Sequence, residues 1–371
     1  MRRLLSLAVA LFSLGASAQE ALDPQINPDH TATFTFAEPS ATVVNLALEG
    51  TKVPFPMHKN EAGLWTLTTP VLAPENYSYH FEVDGRTELD PRNTAVKASL
   101  TGTGNAFLIP GDVPQPWETT AVPHGILHHH VYTTKVVKGL DRNQSDYYVY
   151  TPPGYDPRAK VRYPVLYLLH GWSDTAGGWS AIGHANDIFD SLIAQGKAKP
   201  MVVVMPLGYG EMSFVRNGFT VWRKPADVSR NTTLFSQALL TEVLPQVEKD
   251  YNVSARREDR AIAGLSMGGL ESLTVGLSYP DQFAYVGGFS AAVFSRDAAQ
   301  VASSIDAKKP ALKLLWIACG TSDDLIEGNR SLVAALKARD LPVTAVETPG
   351  MHTWLVWRDN LVHFVPLLFA R

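Results

Sequence analysis

The stretch Arg260-Ala-Ile-Ala-Gly264-Leu-Ser266-Met-Gly268-Gly269 decides how this chain is read. A short strand-like run leads into a serine with a glycine two positions away on either side, and a helix-like run, Met267–Ser278, follows. A serine at a sharp strand-to-helix turn has a strained backbone, so the residues two positions away must be small. Gly264 and Gly268 meet that demand. The turn lifts the hydroxyl clear of a sheet and sets a helix N-terminus beside it, where developing negative charge is favoured. A bare G-x-S-x-G string arises by chance, but the strand before it and the helix after it single out Ser266 as the candidate nucleophile.

Further apolar runs lie on both sides of this turn, at Pro164–His170, Met201–Pro206, Tyr285–Phe289 and Leu312–Ala318. Helical candidates fall between them at about Leu234–Tyr251, Met267–Ser278 and Asn329–Asp340. Alternating α and β with almost wholly apolar strands predicts a parallel sheet covered on both faces by helices, an α/β domain over 126–371. Residues 24–108 read differently. Phe34 and Phe36 alternate, as do Val44, Leu46 and Leu48, and then Tyr77, Tyr79, Phe81 and Val83 before the turn pair Asp84-Gly85. Period-two patterning without helical stretches predicts an immunoglobulin-like β-sandwich. Pro110, Pro114, Pro116 and Pro123 mark 109–125 as a stiff Pro-rich linker between the two.

Composition bounds the function. The chain has 371 residues, 45% hydrophobic and 18% charged, which excludes a disordered or coiled-coil protein and suits two domains. Lys+Arg 32 against Asp+Glu 36 leaves no basic surface for nucleic acid. The single cysteine, Cys319, excludes an intramolecular disulfide framework and a zinc site built on several cysteines. Arg2 and Arg3, an apolar run from Leu4 to Leu14 and Ala16-Ser17-Ala18 form the pattern of a secretory signal at 1–18, cleaved after Ala18. The apolar run falls short of the roughly 20 residues that span a bilayer, so a secreted or periplasmic protein without stable membrane insertion is expected. Losing two arginines takes the formal net charge from −4 to −6.

A serine hydroxyl needs a base to take its proton, and for this turn the partners follow in the chain order Ser, acid, His. The acid should end a later strand. Leu312–Ala318 runs into Cys319-Gly-Thr-Ser-Asp323-Asp324, where Asp323, first off the turn, is favoured and Asp324 suits an N-terminal helix cap. Val343–Thr348 reads as the last strand and Pro349-Gly-Met-His352 as the loop after it, so His352 is the candidate base. The oxyanion needs two backbone N–H donors: Met267, just after the serine, and Trp172 in the His170-Gly171-Trp172 loop, with His170 shaping that loop. Trp179, Trp222, Trp354 and Trp357, with Trp172, fall in expected catalytic-face loops and are candidates to stack on sugar rings or an aromatic acyl group. Arg216 and Arg223 are candidates to clamp a carboxylate. The run His128-His129-His130 suggests a metal, but alternate strand side chains point to opposite faces and cannot converge on one ion. Asn76, Asn231 and Asn252 each begin an N-x-[ST] glycan-acceptor string.

With these residues in place, the chain over about 125–370 resembles the esterase D-like family that includes bacterial feruloyl and acetyl xylan esterases of carbohydrate esterase family one. The resemblance rests on Tyr150-Thr-Pro-Pro-Gly-Tyr155, Leu168-Leu-His-Gly171, Gly264-Leu-Ser-Met-Gly-Gly269, Phe289-Ser290, Cys319-Gly-Thr-Ser-Asp323, His352-Thr-Trp354 and Trp357-Arg358. It implies an α/β-hydrolase fold and a Ser/Asp/His hydrolase without metal or cofactor, with the family's acid on Asp323. The first domain resembles glycogen-type carbohydrate-binding modules through Pro56-Met57, Gly63-Leu-Trp65, Tyr77-Ser-Tyr79, Val83-Asp-Gly85 and Asp90-Pro-Arg-Asn93. The expectation is release of acyl groups, feruloyl foremost, from plant polysaccharide such as xylan. Deacetylation of xylan, hydrolysis of a trilactone siderophore and acyl transfer on the same fold are the catalytic alternatives. A carbohydrate-binding protein with an inert hydrolase domain is the non-enzymatic one.

Overall fold

The computed structural model describes residues 24–303 and 311–370, so the expected leader at 1–18 lies outside the described residues. Eight strands form the main sheet: β1 (Ile126–Thr133), β2 (Gln144–Thr151), β3 (Val165–Leu169), β4 (Val202–Pro206), β5 (Arg260–Leu265), β6 (Tyr285–Phe289), β7 (Leu314–Gly320) and β8 (Thr344–Thr348). Their spatial order is β1-β2-β4-β3-β5-β6-β7-β8. β3 to β8 run parallel, whereas β1 pairs antiparallel with β2 and β2 antiparallel with β4. The sheet is therefore mixed rather than wholly parallel as expected. The edge strand β1 is half in water, and its run His128-His129-His130 breaks any apolar alternation that would mark it as a strand.

Within the parallel strands, period two sends successive side chains to opposite cores. Val165, Tyr167 and Leu169 enter one core with Phe235, Leu239 and Leu273, while Leu166 and Leu168 enter the other with Ile188, Phe189 and Leu361. The covering helices are α1 (Ala185–Ala194), α2 (Pro225–Ala238), α3 (Ser266–Ser278), α4 (Ile326–Lys337) and α5 (Trp354–Phe364). This is the α/β-hydrolase fold. The helix expected over Leu234–Tyr251 starts at Pro225, nine residues earlier, and passes through a π turn at Leu239–Val243 before ending at Asp250. The opening turns are too polar to show a period, and Pro245, which has no N–H to give a preceding carbonyl, follows the π turn.

Ahead of this sheet lie two antiparallel β-sheets with one shared core. Glu75–Val83 alternates buried and half-buried residues along its whole length. Its Tyr79 and Phe81 meet Phe34 and Phe36 of the facing sheet at centroid distances of 4.8 and 4.5 Å. The Pro-rich segment that follows is fastened down rather than a free spacer. Trp117 is buried under the Arg358 guanidinium, and Thr119 Oγ donates to Asp187 at 3.0 Å. Asp190 accepts the Gly125 N–H at 2.9 Å and the Tyr150 hydroxyl at 2.6 Å.

The β-region docks on α5. Arg358, 1% exposed, donates from Nε to Glu75 Oε1 at 3.1 Å and from Nη1 to the Ile182 carbonyl at 2.8 Å, and also reaches the Asn76 carbonyl. Leu355 of the same helix packs into the core of the β-region. Removing one member of a buried ion pair strands the other charge, at a cost of roughly 3–5 kcal/mol. Glu75→Ala is therefore expected to lower stability by about 3 kcal/mol in urea denaturation; a loss below about 0.5 kcal/mol would show that the pair does not hold the docked region.

Candidate active site

Ser266 opens α3 directly at the C-terminal end of β5, with φ 50°. That left-handed value is uncommon for a residue with a Cβ and stores strain at the turn. The glycines on either side are required by space. A Cβ on Gly264 would lie 2.4 Å from the Gly268 carbonyl oxygen, and one on Gly268 would lie 2.5 Å from the His170 carbonyl oxygen. The Gly268 N–H donates to that same His170 oxygen at 3.1 Å, so the turn and the loop after β3 are locked together.

His352 Nε2 lies 2.9 Å from Ser266 Oγ, and its Nδ1 lies 2.8 Å from Asp323 Oδ2. The three residues follow the C-terminal ends of β5, β7 and β8, far apart in sequence and adjacent in space. Burial pushes the Asp323 carboxyl up, but the His352 hydrogen bond and charge, the Leu325 N–H and the Ser290 hydroxyl together hold it below the ordinary carboxylate range. Asp323 Oδ1 accepts the Leu325 N–H at 2.8 Å. Asp324 is exposed, and α4 has no side-chain cap, so the capping role expected for Asp324 is not seen. Cys319, on β7, is buried, and that burial pushes its thiol up to about 12, the nearby Asp323 charge adding to the effect.

Met267, second residue of α3, has a backbone N–H beyond the reach of intrahelical acceptors. Across from it, a Cβ on Gly171 would stand 3.5 Å from Ser266 Cβ, which places the His170-Gly171-Trp172 loop against the serine. The Trp172 N–H meets no backbone acceptor among the described residues. Two amides are thus available beside the hydroxyl. His170 fixes their loop: its Nδ1 bonds the Gly171 carbonyl at 2.8 Å and its Nε2 accepts the Gly208 N–H at 2.8 Å. Accepting on Nε2 and donating from Nδ1 requires the neutral ring.

The tryptophans divide. Trp179 is fully buried, donates to the Leu169 carbonyl at 2.9 Å and does not reach the cavity, so its expected substrate role is corrected to core packing. Trp354 and Trp357 lie on α5 rather than in a loop and, like Trp222, are at most 6% exposed. These three form walls of a cavity of about 890 Å³ that contains Ser266 and His352, and Trp357 packs edge-on to the His352 ring at 4.8 Å. Arg216 and Arg223 are exposed and outside that lining. Phe219, not picked out from the sequence, is 71% exposed at the cavity and packs edge-on to Trp172 at 5.6 Å. Its signal was an aromatic residue beside a glycine in a segment with no period to bury it. Asp174, also missed, lines the same cavity, where burial pushes its carboxyl up to about 7.

His128, His129 and His130 alternate along the edge strand β1. His129 stacks on Tyr148 and bonds Asp146, while His130 bonds Tyr251. All three glycan-string asparagines are engaged, Asn231 fully buried between Gly210 and Glu271, Asn76 with His184 and Asn252 with the Ala159 carbonyl.

Residues 142–368 match the Esterase family model. The chain belongs to the Esterase family. This esterase is 30% identical over 355 residues to an endo-1,4-beta-xylanase/feruloyl esterase of Xylanibacter ruminicola, covering 93% of this chain and 46% of that protein. It therefore spans less than half the length of that curated relative. A ferulic acid esterase from Anaeromyces mucronatus superposes with TM-score 0.59 and 23% identity over 69% of this chain and 96% of that one. The enterobactin esterase of Shigella flexneri superposes with TM-score 0.69 and 19% identity over 96% of this chain and 99% of that one. Both structures share the fold.

Burial pushes the His170 imidazole down from 6.5 to about 4. A depressed histidine contributes stability that is present above pH 6.5 and lost as pH falls through about 4. That loss should reach about 3 kcal/mol in wild type and be absent from His170→Asn, read as the difference between their denaturation free energies across the window. Parallel slopes for the two proteins would count against the buried neutral ring.

Proposed function

We propose that this esterase is exported and removes acyl groups, hydroxycinnamoyl foremost, from plant cell-wall polysaccharide such as xylan, by a Ser266–His352–Asp323 mechanism. The observation that carries the reading is the unbroken hydrogen-bond chain from Asp323 through His352 to Ser266, set in a cavity whose rim holds the Phe219–Trp172 pair. Ser266 Oγ attacks the ester carbonyl carbon as His352 Nε2 takes the hydroxyl proton. The carbonyl oxygen, now an anion, is held by the Met267 and Trp172 amides and favoured by the N-terminus of α3. Collapse breaks the ester C–O bond, and His352 passes its proton to the departing sugar oxygen. Water then attacks the acyl-serine by the same route in reverse, freeing the acid and restoring the serine. Asp323 stays ionised throughout, fixes the imidazole tautomer and offsets the imidazolium charge.

The acyl group is read from the rim. An exposed phenylalanine against a half-buried tryptophan offers an aromatic ring an edge and a face, a contact of about 0.5–1.5 kcal/mol. The feruloyl activity in the name of the Xylanibacter relative agrees with this reading. We read the N-terminal two-sheet region as an immunoglobulin-like module. Its Tyr77, Tyr79 and Phe81 face the core rather than offering a sugar platform, which supports a structural role. Hydrolysis of a trilactone siderophore is the second reading, favoured by the fold likeness to enterobactin esterase across 96% of the chain.

Turnover of methyl ferulate, an acetylated xylo-oligosaccharide and enterobactin at one enzyme concentration separates these readings, with kcat/KM expected to be highest for methyl ferulate. Ser266→Ala should lower kcat by about a thousandfold or more, and wild-type turnover in that variant would overturn the mechanism. Phe219→Ala should raise KM for methyl ferulate by about three- to tenfold while leaving the acetylated substrate within about twofold. Equal effects on both would remove Phe219 from the acyl subsite.

A further inference from the structure

The helix that follows the His352 loop begins without a cap of its own. Thr353, the N-cap of α5, makes no side-chain capping bond. The first backbone N–H of that helix, on Trp354, instead donates at 2.8 Å to Oε1 of Glu49, a residue 305 positions away in the N-terminal β-region. Glu49 is itself held in place. Its Oε2 accepts the Ser78 N–H at 3.0 Å and the Ser78 hydroxyl at 2.6 Å, and its own N–H donates to the Ser78 carbonyl at 2.9 Å. Both carboxylate oxygens are therefore used, one by the β-region and one by the first turn of α5. An acid at a helix N-terminus satisfies an orphan donor and meets the positive end of the helix dipole.

The placement matters because His352 lies two residues before Trp354. The loop between β8 and α5 is short, and beside the Glu49 bond Leu355, next to Trp354, packs into the core of the β-region. Thr353 N–H bonds back to the Met351 carbonyl at 2.9 Å. Gly350, at φ 128°, has room only for hydrogen, since a Cβ there would stand 2.5 Å from Val356 Cγ2. Four residues after Trp354, the Arg358 pair with Glu75 fixes the next turn of the helix to the same β-region. Glu49 also lines the catalytic cavity.

We propose that Glu49 is a positioning residue for the catalytic base: the N-terminal β-region caps α5 and so sets the His352 ring between Ser266 and Asp323. The inference rests on the reading of His352 as base and extends it to a region outside the hydrolase sheet. Glu49 does not touch the reacting atoms. Its effect passes through Trp354 N–H to the loop, and falls on the rate of proton transfer rather than on substrate binding.

The test uses the full chain with three variants, Glu49→Gln, Glu49→Ala and Ser78→Ala, on a small ester such as methyl ferulate. Active serine is counted by stoichiometric labelling with an organophosphonate, so that kcat refers to folded sites. Amide hydrogen exchange is followed in the peptide covering 350–357. Glu49→Ala should lower kcat by about tenfold or more with KM within about twofold, and exchange in 350–357 should accelerate. Glu49→Gln, whose single amide oxygen can still accept from Trp354 while its NH2 faces the Ser78 hydroxyl, should recover part of that rate, as should Ser78→Ala, which loosens Glu49 but leaves its carboxylate. Unchanged kcat in Glu49→Ala, or a fall matched by Glu49→Gln, overturns the proposal. A loss seen in Tm alone, with kcat per labelled site intact, overturns it too by making Glu49 merely structural. Should Ser266→Ala keep wild-type turnover while exchange in 350–357 still rises in Glu49→Ala, the reading of the base has failed and the Glu49 tether has not.

Discussion

Two backbones approach so closely at one point that no side chain fits between them, and the rest of the site depends on it. Gly268, in the first turn of α3, lies against the His170 carbonyl, with its N–H bonded to that oxygen and no room for a Cβ. The contact joins the turn carrying Ser266 to the loop carrying the Trp172 amide. It therefore fixes the distance between the Ser266 turn and the loop of the Trp172 amide without any side chain taking part. The strain of Ser266 at φ 50° persists because β5 before it and α3 behind it are fully packed. A polar backbone approach of this kind is stable only when its groups are satisfied, which is why the neutral His170 ring, bridging Gly171 and Gly208, belongs to the same construction.

Charge in the site is managed by burial and pairing in different proportions. Asp323 is buried yet stays below the ordinary carboxylate range because three groups meet it, His352 first among them. Asp174 and Glu271 are buried with fewer compensations and are pushed up, Glu271 well above its usual value. A negative charge is thus concentrated where an imidazolium would form. Burial likewise favours the neutral thiol of Cys319, on the strand that ends before Asp323.

The parts of this arrangement that were legible in the sequence are those governed by short-range rules. The Gly264–Gly268 spacing, the apolar runs of β3 to β7 and the strict alternation of Tyr77 to Val83 each express a local period or steric need. The expectation that Asp323 would face His352 followed from its place after β7, and the two lie 2.8 Å apart. What was misread shares a different cause. Trp354 and Trp357 looked like loop residues because α5 buries Arg358 and Asn360 along with its apolar residues, so it shows little amphipathic contrast and no cap of its own. Trp179 looked available and is fully buried, and Phe219 passed unnoticed, because exposure depends on what folds over a residue rather than on its neighbours in the chain.

The sequence by itself determined the α/β class, the strained serine turn and the order of the three residues along the chain, because each is set by interactions within a few residues. Only the tertiary structure decided that the Pro-rich segment is pinned under Arg358, that the first N–H of α5 is capped from the β-region, and which aromatic side chain faces the cavity. Those outcomes join residues up to 305 positions apart, and no local period records them. They arise when two independently patterned regions bury a common surface and their leftover donors and charges must find partners across it.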